Sequence, residues 1–288
     1  MLSSHSVGIK ANTCFAIVIG ILGKRVMEDE VRDFYDSLAG SYRLIFDDWD
    51  EAVQRQSDIL GPLLESRIAK KPMRMLDCAC GIGTQSLGFA ARGHIVSASD
   101  LSPGELEQAR DEARNRGLKI DFYLCNMISL SEVPHNSFDA VIAMDNTLPH
   151  LDLPQLAAAA KAIAGKLCHG GIFMASIRDY DQLIPQRPSA QPPAFYGKQG
   201  SRRIVHQVWE WAADDFYRMH LYITTESNSK WKCLHSTAVY HPIRRDALSS
   251  LLFAAGFKSV QWLLPAETRY YQPIVIATIA DTSPESAC

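Results

Sequence analysis

The chain has 288 residues, a formal net charge of −3 and 47% hydrophobic residues. That length suits one large domain or one and a half, with a core of ordinary apolar content. The near-balanced charge and the lack of a long basic run argue against a nucleic-acid partner.

Seven cysteines, an odd number, lie scattered through apolar segments. Cys78 and Cys80 share one strand and turn, where a disulfide would distort the backbone. This usage fits a reducing, cytoplasmic compartment. No Cys/His spacing matches a zinc site, so no metal is expected.

In chain order, residues 1–26 hold an apolar run, Ala11 to Leu22, too short to cross a bilayer as a helix. No membrane association is expected. Met27-Glu28-Asp29-Glu30-Val31 reads as a conventional start, so 1–26 is taken as a poorly ordered leader. Residues 27–72 read as an N-terminal helical lid: Val31, Phe34, Tyr35 and Leu38 recur at helical spacing, as do Val53, Ile59, Leu60, Leu63 and Leu64.

Residues 73–184 then alternate. Strands are predicted at 73–78, 94–99, 120–125, 138–144 and 171–177, and helices at 85–91, 103–116 and 153–166. Ser102 is a candidate cap for the helix that opens on Pro103. Residues 185–242 break the pattern. A loop with four prolines over 185–200 precedes three aromatic and β-branched runs: Arg203 to Trp211, Phe216 to Thr225 and Trp231 to Tyr240. They read as an antiparallel meander. Residues 243–281 supply a helix ended by Gly256 and two final strands, and 282–288 form a tail. The alternation predicts an α/β fold: a seven-stranded, mostly parallel sheet with helices on both faces, capped by a small antiparallel insertion.

The most informative stretch is Met75-Leu76-Asp77-Cys78-Ala79-Cys80-Gly81-Ile82-Gly83-Thr84-Gln85. An apolar strand runs into a glycine turn and then a helix, and a second strand closes on Asp100. The glycines let backbone approach a ligand, and the acid can accept both hydrogen bonds of a ribose diol. The pattern is Asp-x-x-x-Gly-x-Gly, with Ser86 where a dinucleotide fingerprint has its third glycine. Asp77 beside the turn disfavours a pyrophosphate and favours a cationic amine. S-adenosylmethionine meets that description; an NAD-type nucleotide site is the alternative.

These residues resemble motif I of the class I S-adenosylmethionine-dependent methyltransferases, and the element order resembles their Rossmann-like fold. Within the class the chain is most similar to the glycine/sarcosine N-methyltransferases. Three further segments carry that likeness: Trp49-x5-Arg55, Asp145-Asn146-Thr147-Leu148-Pro149-His150-Leu151, and Ile177-Arg178-Asp179-Tyr180-Asp181. Asp145 departs from it, standing where that family has glycine. The aromatic meander shares no motif with it.

The resemblance implies roles. Tyr35 and Tyr42, in a Tyr-Asp-x-x-Ala-like element, would lid the site; core packing is the other reading. Trp49 and Arg55 would hold the methionine end of the cofactor, Arg55 as a fork on its carboxylate. Asp77, Cys78, Ala79, Gly81 and Gly83 would form the turn, and Asp100 and Leu101 would take the ribose. Asn126 and Met127 would read and flank the adenine, and Met144 would close the pocket. Asn146 would orient a substrate amine, and His150 would bond it or accept its proton, as a near-neutral pKa allows. Arg178 would bind a substrate carboxylate unless it forms a salt bridge with Asp179 or Asp181. Tyr180, in or near the aromatic lid, would join Asn146, His150 and Arg178 as a catalytic residue. The expected activity is methyl transfer to a small polar molecule, plausible as N-methylation of an amine bearing a carboxylate. O- or C-methylation and non-catalytic cofactor binding stand as alternatives.

Overall fold

The computed structural model describes residues 30–134, 136–212 and 216–280. The leader, the start at Met27 and the tail lie outside the described residues. Helix α1, over the described residues 30–38, runs into a 3-10 turn at Ala39–Ile45. Next come α2 (Trp49–Glu65), β1 (Arg74–Asp77), α3 (Thr84–Ala91), β2 (Ile95–Asp100), α4 (Pro103–Asn115) and β3 (Ile120–Leu124). The core continues with β4 (Phe138–Ala143), α5 (Leu153–Lys166) and β5 (Leu167–Ser176).

The main sheet has seven strands in the order β10-β11-β5-β4-β1-β2-β3. Strand β11 (Ile274–Ile279) is antiparallel to β5 and to β10 (Phe257–Leu263), while the β1, β2, β3, β4 and β5 pairings are parallel. The pleat sends alternate side chains to opposite faces. Leu76, Val141, Phe173 and Val275 pack with Leu156 and Ile163 of α5 and with Leu248 and Leu252 of α7 (Arg245–Ala254). Their neighbours Met75, Ile142, Met174 and Ile274 pack with Leu60 and Leu64 of α2 and with Phe89 of α3. Helices thus cover both faces, as the alternating pattern predicts.

Caps fix the helix starts. Ser102 Oγ accepts the Glu105 N–H at 3.0 Å and donates to Asp36 at 2.5 Å, tying α1 to the start of α4. Asp152 and Gln155 close a capping box on α5.

The insertion differs from the sequence expectation. A short helix α6 (Tyr180–Gln186) follows β5, and the proline-bearing stretch forms a strand, β6 (Ala190–Tyr196). The second sheet is therefore four-stranded, β6-β7-β8-β9, with β7 at Arg203–Ala212, β8 at Phe216–Ser227 and β9 at Lys230–Tyr240. Prolines donate no N–H, and they are tolerated because β6 is an edge strand. The pairing register slips between Gln191 and Ala194, where Pro192 and Pro193 lie.

Candidate active site

The turn after β1 is built by backbone geometry. Gly81 has φ +52° and Gly83 has φ +92°. A Cβ on Gly81 would come within 3.1 Å of Glu105 Oε2, so the tight approach and the positive φ together favour glycine there. Gly83 is the N-cap of α3 and does not line the pocket.

Asp100 ends β2 with both carboxylate oxygens engaged. Oδ2 accepts the Gly81 N–H at 2.8 Å and Oδ1 accepts the Ser102 N–H at 2.9 Å. Each oxygen keeps a second lone pair, and the group borders a pocket with Cys78, Ala79, Gly81 and Leu101 on one side and Asn126, Met127 and Met144 on another. Tyr35, Tyr42 and His150 complete its wall. Glu105 also lines it, with Oε1 buried and unpartnered. Asn126 already accepts the Ile128 N–H through Oδ1 at 2.9 Å. This donor and acceptor set, around a glycine cradle, suits a nucleoside cofactor.

A second cavity of about 750 Å³ lies between the core and the inserted sheet. Arg55, Arg178, Gln207, Trp209, Tyr240 and Tyr271 line it. Arg178 is half-buried and bonds neutral groups: Nη1 donates to Tyr217 Oη at 2.6 Å and Nη2 to Gln207 Oε1 at 3.0 Å. Its guanidinium lies 4.6 Å from the centre of the Trp209 ring and 5.3 Å from that of Tyr240. Among the described residues no carboxylate pairs with it. Asp181 pairs instead with Arg245 at 2.8 Å, and Asp179 with Arg245 at 3.7 Å, so the expected salt-bridge alternative for Arg178 does not form.

Several expected contacts are redirected. Trp49 is buried in a cluster with Val53 and Leu87, donates Nε1 to Thr84 Oγ1 at 3.1 Å, and lines neither cavity. It supports the turn from behind. Arg55 borders the second cavity rather than the cofactor pocket, because its helix passes on that side. Asp77 is buried behind the turn, where Oδ2 accepts the Ser86 hydroxyl at 2.7 Å. Burial pushes its pKa up to about 7, against the pull of that hydrogen bond. Asn146 uses its side-chain carbonyl to accept the Arg178 N–H and lines neither cavity. Tyr180 is buried beneath the second cavity, 3.0 Å from Tyr217 Oη, and so acts on Arg178 through Tyr217.

His150 corrects the expectation of a near-neutral pKa. Its Nε2 is 2.8 Å from Tyr35 Oη and its ring packs 4.2 Å from that of Tyr240. Burial lowers its pKa to about 3. At neutral pH it is an uncharged hydrogen-bonding group and a poor proton acceptor.

Asp145 departs from the resembled motif and is tightly held. Oδ2 accepts Gln85 Nε2 at 2.7 Å, and Oδ1 accepts the Tyr271 hydroxyl at 2.6 Å and that of Tyr270. Sequence reading did not find Glu105, Gln85, Gln207 or Tyr271 as site residues. A glutamate inside the apolar face of α4 was the one available signal.

The glycine turn, the acid ending β2 and the pocket at the carboxyl edge of a parallel sheet define a Rossmann-like nucleoside-binding protein. A family model described as a methyltransferase domain matches residues 75–171. A glycine/sarcosine N-methyltransferase of Parasynechococcus marenigrum (strain WH8102) is 31% identical over 159 residues, 54% of this chain and 53% of that protein. A ubiquinone biosynthesis O-methyltransferase of Xanthomonas axonopodis pv. citri is 28% identical over 163 residues, 54% of this chain and 64% of that protein. The chain thus spans about half to two thirds of the length of these two relatives. In fold it is similar to S-adenosylmethionine-bound CalS10, an amino pentose methyltransferase from Micromonospora echinaspora (TM-score 0.68, 18% identity, 83% of this chain and 94% of that one). The domain match over residues 75–171, the two relatives and the shared fold together support a class I S-adenosylmethionine-dependent methyltransferase. Among the described residues no helix is long and apolar enough to cross a membrane.

Proposed function

We propose that the protein transfers a methyl group from S-adenosylmethionine to a small amine that carries a carboxylate. The observation that carries this reading is Arg178: a fixed cation facing the second cavity, with neutral partners and no carboxylate among the described residues. A half-buried charge in that position calls for an anionic ligand. The cavity, at about 750 Å³, falls in the range that holds drug-sized ligands, roughly 300–1,000 Å³, and so admits an acceptor larger than glycine.

The cofactor supplies a methyl group already activated on a sulfonium. The residues align and enclose. Arg178 anchors the acceptor's carboxylate, and Trp209 and Tyr240 wall the cavity beside it. Tyr35 and His150, hydrogen-bonded to each other, line the cofactor pocket close to the second cavity. The nitrogen lone pair forms the new N–C bond as the C–S bond breaks, its electrons stay on sulfur, and the ammonium proton leaves to water. Weak basicity at His150 suits an amine that arrives neutral better than a phenol that must be ionised.

The test is transfer from labelled S-adenosylmethionine to a panel of amines, each with and without a carboxylate, in wild type and Arg178→Lys. Loss of the planar fork is expected to raise KM for carboxylated amines about tenfold or more, while S-adenosylhomocysteine affinity is unchanged. Equal rates on amines lacking a carboxylate, or on phenols, would overturn the assignment.

A further inference from the structure

We infer that the Asp145 carboxylate makes this protein distinguish the charged methyl donor from its neutral product, holding S-adenosylmethionine more tightly than S-adenosylhomocysteine. The inference rests on the S-adenosylmethionine reading above and adds a discriminating residue to the same site.

The cofactor pocket and the second cavity share three lining residues: Tyr35, Tyr42 and Asp145. A methyl group leaving one cavity for the other crosses where they meet. Two of the three are phenols, which burial keeps neutral by raising their pKa well above the ordinary range. The third brings a carboxylate to the crossing.

That carboxylate is fixed in place. Its residue has φ +59°, and its backbone N–H donates to Ser176 Oγ at 2.8 Å. Gln85 of α3 and the adjacent Tyr270 and Tyr271, just ahead of β11, grip the side chain from two sides. All three donors are uncharged, and among the described residues no lysine or arginine pairs with Asp145. Its negative charge is oriented by hydrogen bonds but not cancelled by them.

Methyl transfer changes the charge at the crossing. The C–S bond breaks with both electrons remaining on sulfur, the methyl carbon bonds to the acceptor nitrogen, and the positive charge leaves with the acceptor. A fixed carboxylate attracts a sulfonium and gains little from a neutral thioether. Its attraction therefore selects donor over product. It also stabilises the bound donor before reaction, so some rate is given up for resistance to product inhibition.

Position 145 is well suited to a test, because asparagine and glycine both tolerate positive φ. Calorimetric titration of wild type, Asp145→Asn and Tyr271→Phe with S-adenosylmethionine and with S-adenosylhomocysteine measures the ratio of the two dissociation constants. Wild type is expected to favour the donor by about tenfold, equivalent to about 1.4 kcal/mol. Asp145→Asn should bring the ratio near one. Tyr271→Phe, which removes one grip from an exposed side chain, should give an intermediate ratio. A wild-type ratio near or below one, or the same ratio in all three proteins, would overturn the role of Asp145 while leaving the cofactor reading intact. Failure of either ligand to bind wild type would overturn both.

Discussion

The side-chain carbonyl of Asn146 accepts the backbone N–H of Arg178 at 2.9 Å, joining the loop after β4 to the loop after β5. Two of the sequence segments that resemble an N-methyltransferase thus meet through a hydrogen bond in which Asn146 holds the arginine's backbone. Asn146 also has φ +67°. Asn146→Gly keeps that conformation and deletes the bond, at a cost of about 1 kcal/mol. Asn146→Ala adds backbone strain of roughly another 1–2 kcal/mol. Thermal melts should therefore rank wild type above the glycine variant, and that above alanine. In the glycine variant KM for a carboxylated acceptor should rise while S-adenosylhomocysteine affinity stays within about twofold. Equal loss for both ligands would remove the positioning role.

Asp77 and His150 give opposing pH dependence. Burial pushes Asp77 up to about 7, while an exposed aspartate titrates near about 3.9. Between these values the unfolded chain has released a proton that the folded protein still holds, so this group adds stability as pH falls from 7 toward 4. His150, lowered to about 3 by burial, refuses a proton that the unfolded chain takes up below about 6.5, so it removes stability over much of the same interval. Relative to wild type, Asp77→Asn should melt higher at pH 8 and lose that advantage in acid. His150→Gln should gain on wild type as pH falls toward 4. Melting curves of the three proteins from pH 4.5 to 8 check this; parallel profiles would contradict the burial of both groups.

Trp49 supports the glycine turn through its hydrogen bond to Thr84 and its packing in one cluster with Ile82. Trp49→Phe keeps most of the apolar contact and loses one buried hydrogen bond, so stability should drop by about 1–2 kcal/mol. Cofactor affinity should move by less than about threefold, because the ring lines neither cavity. Calorimetry with S-adenosylhomocysteine separates this from direct contact, which would cost far more.

Helices α2 and α3 touch at Gly88. A Cβ there would lie 2.8 Å from Ser57 Cβ and 3.4 Å from the Val53 carbonyl oxygen. Gly88→Ala should therefore destabilise by about 1–3 kcal/mol through overpacking, despite the better helix propensity of alanine. A melting temperature at or above that of wild type would show that the two helices can part without loss.

Much of the core was legible because its elements are long and periodic. Strand β4 is apolar at every position but Asp139, and it is buried throughout, as befits a central parallel strand. Strand β6 was not legible, since its paired prolines argue for a loop and only its edge position tolerates them. The glycine turn and Asp100 were readable because a nucleoside demands a fixed local pattern. Trp49, Asn146 and Tyr180 carry the expected motif letters, yet tertiary packing turns them to support other residues. Spacing along the chain cannot say which way a side chain faces once two loops interlock. The basicity of His150 was misjudged for a related reason: desolvation depends on Tyr35 and Tyr240, which arrive from distant parts of the chain.

The inserted sheet leaves the core just after Asp179 and Asp181 and returns at Arg244 and Arg245. Those four side chains clasp each other, with Arg245 Nε 2.8 Å from Asp181 Oδ2 and Arg244 Nη1 at 4.0 Å from Asp181 Oδ1. Departure and return are thus stitched together at one point on the rim. The inserted sheet meets the rest of the chain again through the hydroxyls of Ser37 and Ser236 and at Arg203, whose Nη2 donates to the Phe46 carbonyl. The insertion is a closed handle: its two ends are fastened to each other, and the arginine it covers, Arg178, stands ahead of the clasp on the core side.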